Sequence, residues 1–347
     1  MRRGHSTGGT SLLRRATVRA VTLLAALALL SGCGNREQNT LAAESHPEKD
    51  IASLFWWMMG AAFIGLGVVV CLMLLAWRRA HTRPGHETKE GEQLGFRIVI
   101  GAGIVLPIAL IATLFVIADI FVIKTTEAPA ADATSLTVRV TGHQFWWEVR
   151  YPGTTAVTAN EIHIPVRTPV RVEVQTADVI HSFWVPRLNR TIDTMPGRRN
   201  VIELYANKVG RYRGQCDEFC GLQHAHMAFY VYADSRAEFR RWLRNMAAPA
   251  QAANGQLASA GAKVFASSSC GSCHAIRGTA ASGNVGPDLT HLRSRATLGA
   301  LTVPNRRAIL SRWIVDSQDL KPGNQMPNMK LSGSKLQALV AYLEGLR

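Results

Sequence analysis

"CDEFCGLQHAHM", residues 216–227, places two cysteines, two histidines, acidic residues and a methionine within twelve positions. Cys216 and Cys220 stand four apart and His224 four further on, a metal-ligand spacing before anything else. The fourth ligand is open at this point: His226, Met227 or a distant residue would serve. Zinc is the plainest reading of such a set. Methionine, however, is a poor zinc ligand and a good copper ligand. A second imidazole, His181, stands in "DVIHSFWVP", 178–186, at the end of a predicted strand. One thiolate, two histidines and a methionine would make a mononuclear blue-copper centre. Two coppers bridged by both thiolates would use every donor, one imidazole each, with Met227 and a backbone carbonyl between the cysteines as weak axial ligands.

The sequence around this stretch is β-like from about residue 133 to 240. "SLTVRVTG" (135–142), "EIHIPV" (161–166), "PVRVEVQT" (169–176) and "NVIELYA" (200–206) alternate or run β-branched between Pro, Gly and Asn breaks. Short strands at this spacing predict a sandwich or barrel, closed by a helix over "SRAEFRRWLRNM" (235–246). The β module is bounded at 133–245, and residues 246–256, small and Pro-containing, read as a linker. The remaining module, 257–347, is helical by pattern. It carries "CGSCH", Cys270 to His274, the C-x-x-C-H of covalent c-type haem attachment, with both thiols bonding the haem and the imidazole under the iron. The usual sixth ligand is methionine. "KPGNQMPNMK" offers Met326 and Met329, and Met326 is preferred because the Pro322-Gly323 turn before it resembles the approach to the ligand methionine of small cytochromes c. "GPDL", 286–289, resembles their loop beside the proximal histidine.

The other half of the chain gives an address. Residues 1–32 read as a secretion signal, with Arg2, Arg3, Arg14, Arg15 and Arg19 ahead of "AVTLLAALALL". "LSGC", 30–33, resembles the lipobox of bacterial lipoproteins, which would put a lipid on Cys33; an ordinary signal or an uncleaved helix is the alternative. An external segment, 33–50, leads to apolar stretches at 51–77 and 96–123. Each exceeds the ~20 residues that span a bilayer, so 51–123 is expected to be a transmembrane hairpin. The loop between holds Arg78, Arg79, Arg83 and Lys89, while the outer flank holds Glu37, Glu44, Glu48 and Asp50. The positive-inside rule puts the loop in the cytoplasm and the β and helical modules outside. Asp119, near the outer end of the second helix, is expected to be solvated, and Cys71 to be inert packing. Net charge is +15, which suits an anionic lipid or an acidic protein; no nucleic-acid-binding motif accompanies it.

On these motifs the chain resembles subunit II of the haem-copper cytochrome c oxidases, fused to a cytochrome c domain as in the caa-type oxidases. "GQCDEFCGLQHAHM" is similar to the family's copper loop and "DVIHSFWVP" to its upstream histidine segment. "DTMPGRRN" (193–200) and "GHQFWWE" (142–148) are similar to two further family elements. The resemblance implies a multidomain chain: a two-helix transmembrane hairpin, a cupredoxin-like β-barrel and an all-α class I cytochrome c domain. It implies binuclear copper A held by His181, Cys216, Cys220, His224, Met227 and the carbonyl of Glu218. The Glu218 carboxylate would share a magnesium ion with subunit I, and Asp193, Arg198 and Arg199 would face that subunit. Phe145, Trp146 and Trp147 fall on the family's electron-path aromatics, although the family usually has Trp where Phe145 stands. His226 is an extra imidazole, read as a surface residue. Ile100 stands where many members carry a proton-channel glutamate, and Glu92 is the nearest acid.

The function implied is that of an electron-transfer subunit of a bacterial respiratory terminal oxidase in the cell (inner) membrane. Electrons would pass from an external donor, such as a cytochrome c or a quinol-cytochrome c reductase, through haem c and copper A to subunit I, where oxygen is reduced. The helical module carries 11 Lys+Arg against 4 Asp+Glu, which suggests an acidic face on its partner and salt-sensitive association. Two other classes compete. A quinol oxidase subunit II lacks the cysteines and histidines found here. A free membrane-anchored electron carrier has no need of a hairpin plus the Asp193 element.

Overall fold

A computed structural model describes residues 37–82, 89–130, 132–134 and 136–347. The signal segment 1–32, Cys33 and Arg83 lie outside the described residues.

Two helices are long and apolar enough to cross a membrane. The first, α1, is His46–Thr82. It begins five residues before the apolar run because a cap sets its start: the Ser45 hydroxyl accepts the Glu48 amide at 3.0 Å, and Pro47 sits in the first turn. The second, α2, runs from Lys89 to Thr126 through π-helical turns at Gly101–Val105 and Ala118–Ile123. Pro107, just beyond the first of these turns, has no N–H for the α-helical ladder, a usual cause of such a register shift. Large side chains along both helices are exposed, Trp57 at 77% and Phe115 at 71%, an apolar surface that requires lipid or partner helices. Cys71, expected as packing, is exposed on this surface because nothing among the described residues covers the middle of α1.

The outer end of α1 is fastened to the β module. Glu44 pairs with Arg187 at 3.1 Å and Lys208 at 3.2 Å, the Ser45 hydroxyl donates to the Leu188 carbonyl, and His46 meets Glu203 at 3.0 Å. That module is two five-stranded sheets, ordered β3-β2-β1-β5-β8 and β4-β10-β9-β6-β7. The strands are β1 Thr137–His143, β2 Trp146–Arg150, β3 Val157–Ala159, β4 Glu161–Pro165, β5 Val170–Thr176, β6 His181–Val185, β7 Asn189–Thr194, β8 Asn200–Leu204, β9 Gly210–Cys216 and β10 Ala228–Asp234. β1 runs parallel to β5 and β4 to β10; the other pairs are antiparallel. Period-two alternation sends Val138, Val140, Val170, Val172 and Val174 inward, where they meet Ile162, Ile164, Phe183 and Phe229. Trp147 is wholly buried beneath the open end of the sandwich, against Phe183, Phe229 and His181. His181 opens β6 rather than closing a strand: the ladder to β7 and β9 runs forward from it, because "HSFWV" and not "DVI" carries the inward-facing residues.

Helix α3, Arg236–Ala247, has a full capping box, Ser235 with Glu238. Its Trp242 stacks on His163 at 4.0 Å. The terminal module has its own core. Helix α4, Gln256–Ser267, packs on α8, Gly333–Glu344, beside α5 Cys270–Cys273, α6 Arg307–Val315, α7 Ser317–Leu320 and the hairpin β11 Thr297–Leu298 with β12 Val303–Pro304. The segment read as a linker is fastened at its start: Arg277 donates to the carbonyls of Met246 and Ala248, and the Ala250 amide to Arg277 O at 2.9 Å.

Candidate functional site: a thiolate-rich metal centre beside a haem cavity

Two strand ends and one loop build the metal site. β9 ends at Cys216, the loop 217–227 folds back to β10, and the start of β6 brings His181 alongside. All six donors expected of the site converge. Cys216 Sγ lies 3.9 Å from Cys220 Sγ, 3.9 Å from His181 Nδ1 and 3.2 Å from the Glu218 carbonyl. Cys220 Sγ lies 3.8 Å from both His224 Nδ1 and Met227 Sδ. The two sulfurs are much too far apart for a disulfide bond of ~2.05 Å. Cys216, Cys220, His181 and Met227 are buried, while the Glu218 side chain points to solvent and only its carbonyl turns inward.

The electrostatics suit a metal. The hydrogen bond shared by the two sulfurs draws the Cys216 pKa down to about 4 against the opposing effect of burial; His181 and backbone hydrogen bonds act in the same direction. The Cys220 thiol is pushed up, first by that same hydrogen bond and then by burial. His181 Nε2 donates to Asp178 at 2.7 Å, which turns Nδ1 toward the sulfurs. Burial works to raise the Asp178 carboxyl, but hydrogen bonds from His181, Gln144 and Val179 hold it below the usual carboxylate range. The sequence reading missed Asp178; an acid three residues before a ligand histidine was the available signal. Asp178→Ala is expected to weaken copper binding by about 10–100-fold in a competition titration. Wild-type affinity in that variant would show that Asp178 does not orient the ligand.

His226, read as a surface residue, is exposed, and its Nδ1 is engaged by Gln223 at 2.8 Å. Asp193 lies opposite Ser182 on β7 and is partly buried, Arg198 is exposed, and Arg199 pairs with Glu173 of this chain at 3.4 Å. Trp147 belongs to the core, but Phe145 and Trp146 face a second feature.

That feature is a cavity of about 390 Å³ in the terminal module, lined by Cys270, Cys273, His274 and both Met326 and Met329. Its residues fit a haem. His274 Nδ1 donates to the Pro287 carbonyl at 2.7 Å, which leaves Nε2 free as a ligand atom. Burial pushes the His274 imidazole below its ordinary range, which favours the neutral ring a metal takes. A Cβ at Gly286 would stand 2.5 Å from the His274 ring, so only glycine lets the "GPDL" loop lie there. Arg295 is buried in the cavity wall with its Nε unpartnered among the described residues, as a group awaiting an acid would be. Met326 is held by its backbone: its amide donates to Asn324, and its carbonyl accepts from Ser317 and Gln318. The facing wall of the cavity includes Gln144, Phe145 and Trp146 of the β module.

Fold and site define a class: an apolar helix pair, a cupredoxin-like domain with a sulfur-rich metal centre, and a c-type cytochrome domain beside it. Comparison with known proteins narrows this. Residues 154–233 match the family "cytochrome c oxidase subunit II, periplasmic domain", and residues 258–347 match the family "cytochrome c". The cytochrome c oxidase subunit 2 of Alkalihalophilus pseudofirmus is 38% identical over 220 residues, covering 63% of this chain and 64% of the relative. That of Bacillus subtilis is 32% identical over 224 residues, 61% of this chain and 63% of the relative. The chain thus spans just under two thirds of the length of these relatives. Among solved structures, the periplasmic domain of subunit II of a Bradyrhizobium japonicum cytochrome oxidase is 32% identical, covering 35% of this chain and 96% of that one, with a TM-score of 0.33. Over these two segments the chain is similar to a cytochrome c oxidase subunit II periplasmic domain followed by a cytochrome c domain. The two families imply a copper centre and a haem c.

Proposed function

We propose that this chain is the electron-accepting subunit of a respiratory haem-copper terminal oxidase, anchored in the bacterial inner membrane by the α1–α2 hairpin with both metal domains outside. The observation that carries it is the meeting of six soft or oxygen donors, within 4 Å of their neighbours, beside a cavity built for haem. In this reading Cys216, Cys220, His181, His224, Met227 and the Glu218 carbonyl would hold a copper A centre. Copper and haem, when bound, supply one-electron redox chemistry. The chain holds the donors rigid and dry so that little rearranges as charge changes. Cys270 and Cys273 would carry the haem, His274 and Met326 would be its ligands, and Arg295 would receive a carboxylate.

Phe145 and Trp146 are only 8% and 9% exposed, and they line the cavity together with residues of the terminal module. An external donor therefore meets the haem domain, not these aromatics. The exposed Glu218 carboxylate, shared through magnesium, and the Asp193 edge would face subunit I. Met326→Ala is expected to lower the haem reduction potential by on the order of 0.1 V, read by redox titration; an unchanged potential would move the ligand to Met329. The whole reading is tested by purifying the tagged chain from native membranes. Copurification with a large haem-bearing membrane subunit that consumes oxygen supports it, whereas a chain that purifies alone contradicts it.

A further inference from the structure

Lys321, at the end of α7, is 2% exposed in a chain whose other lysines are mostly solvated. Its ammonium donates to three carbonyls: Gly299 of the haem domain at 2.7 Å, and His226 at 2.9 Å and Phe145 at 3.1 Å of the copper domain. Three N–H donors meet three acceptors, so the ion is fully satisfied where it is. Burial still draws its pKa down to about 7, so the position is one the fold must hold rather than one a lysine seeks. The neighbouring residues make the same junction. Gln223 Nε2 donates to the Pro322 carbonyl at 2.6 Å, and the Leu222 side chain covers Gly323. A further tie runs from the Ala296 amide to the buried Glu161 carboxylate at 2.8 Å.

Apart from Glu161 on β4, the copper-domain partners in this junction belong to the metal loop or adjoin it. Leu222, Gln223 and His226 lie between Cys220 and Met227. Phe145 follows Gln144, whose side chain donates to the Cys220 carbonyl at 2.6 Å and whose amide donates to Asp178, the residue that orients His181. On the haem side, Lys321 begins the turn that leads to Met326.

We infer that Lys321 is a positioning residue that pins the haem domain onto the metal loop, fixing the path between the two sites inside one chain. The pin gives the fused domain a single docked pose with Phe145 and Trp146 between haem cavity and metal loop, where a free cytochrome would have to find that pose at each encounter. This rests on the electron-relay reading for its purpose, though not for its geometry. One electron moves between the sites, from reduced haem to oxidised copper, with no bond made or broken at Lys321.

The test uses the full detergent-solubilised chain and its Lys321→Met and Gln223→Ala variants. Hydrogen exchange is first followed on copper-free protein over residues 144–147 and 221–227, with α8 protection as the check that the haem domain stays folded. Both variants are expected to exchange faster in those two segments while α8 stays protected. In the loaded chain, photoreduction of the haem then reads the internal transfer rate, expected to fall about tenfold or more in Lys321→Met with unchanged haem and copper spectra. Exchange and transfer rates like those of the wild type in both variants would overturn the pin. A wild type that shows the protection yet passes no electron would leave the pin standing and sink the relay.

Discussion

Cys216→Ser is expected to leave a folded chain that has lost its copper pair and the visible absorption that goes with it. Cys216 Sγ is the one atom that faces His181 Nδ1, Cys220 Sγ and the Glu218 carbonyl together. It is also the sulfur whose pKa is drawn down by its hydrogen bonds, which favours the thiolate that a metal takes. A serine hydroxyl keeps its proton at any physiological pH and is a hard donor, so it neither bridges nor favours copper. The barrel survives, because serine has nearly the shape of cysteine and the core beneath rests on Trp147, Phe183 and Phe229. Metal analysis is expected to fall to one copper or none, with an unchanged circular dichroism spectrum. Full copper loading in this variant would mean that Cys216 bridges nothing.

The second large effect is structural. Gly261→Val is expected to destroy the haem domain while sparing the copper domain. Helices α4 and α8 cross so closely at Gly261 that a Cβ there would stand 1.9 Å from the Ala338 carbonyl oxygen and 2.7 Å from Tyr342 Cβ. The obstacle is backbone, so no rotamer relieves it. The helices must part, which opens the seam that holds Phe265, Leu339 and Leu343. Overpacking of this kind costs about 3 kcal/mol or more, a large share of the ~5–15 kcal/mol that holds a domain together. The two modules have separate cores, so proteolysis should degrade residues beyond 256 and covalent haem should disappear while copper binding persists. A variant with normal haem content would contradict the packing.

Most of the site could be read from the sequence because ligand chemistry is local. "CDEFCGLQHAHM" and "CGSCH" carry their spacing with them, and the six donors named from the first of these and from His181 do converge. The strands were read less completely. β1, β4, β5 and β8 alternate valine, isoleucine and leucine with polar residues, whereas β9, "GRYRGQC", shows two glycines and two arginines and buries only Tyr212, Gly214 and Cys216. Its place in the sheet is set by pairing with β10 and β6, which a single strand does not reveal. His181 opens its strand rather than closing one for the same reason. Helix α1 extends five residues ahead of the apolar run, which hydropathy does not show because it ignores the Ser45 cap. Asp178 had a local signal in its place three residues before His181, whereas Lys321 lay beyond local reading, because its partners Phe145 and His226 are distant in sequence.

Two coppers and one haem are expected in one chain, held in adjacent domains. The most direct test is metal content together with electron paramagnetic resonance on the full chain, purified in detergent after maturation with copper and haem. Two coppers for each iron, with the unpaired electron shared equally between both coppers, is the predicted result. One copper, or zinc, in the 216–227 loop would contradict it and leave a tethered cytochrome beside a metal-stabilised barrel.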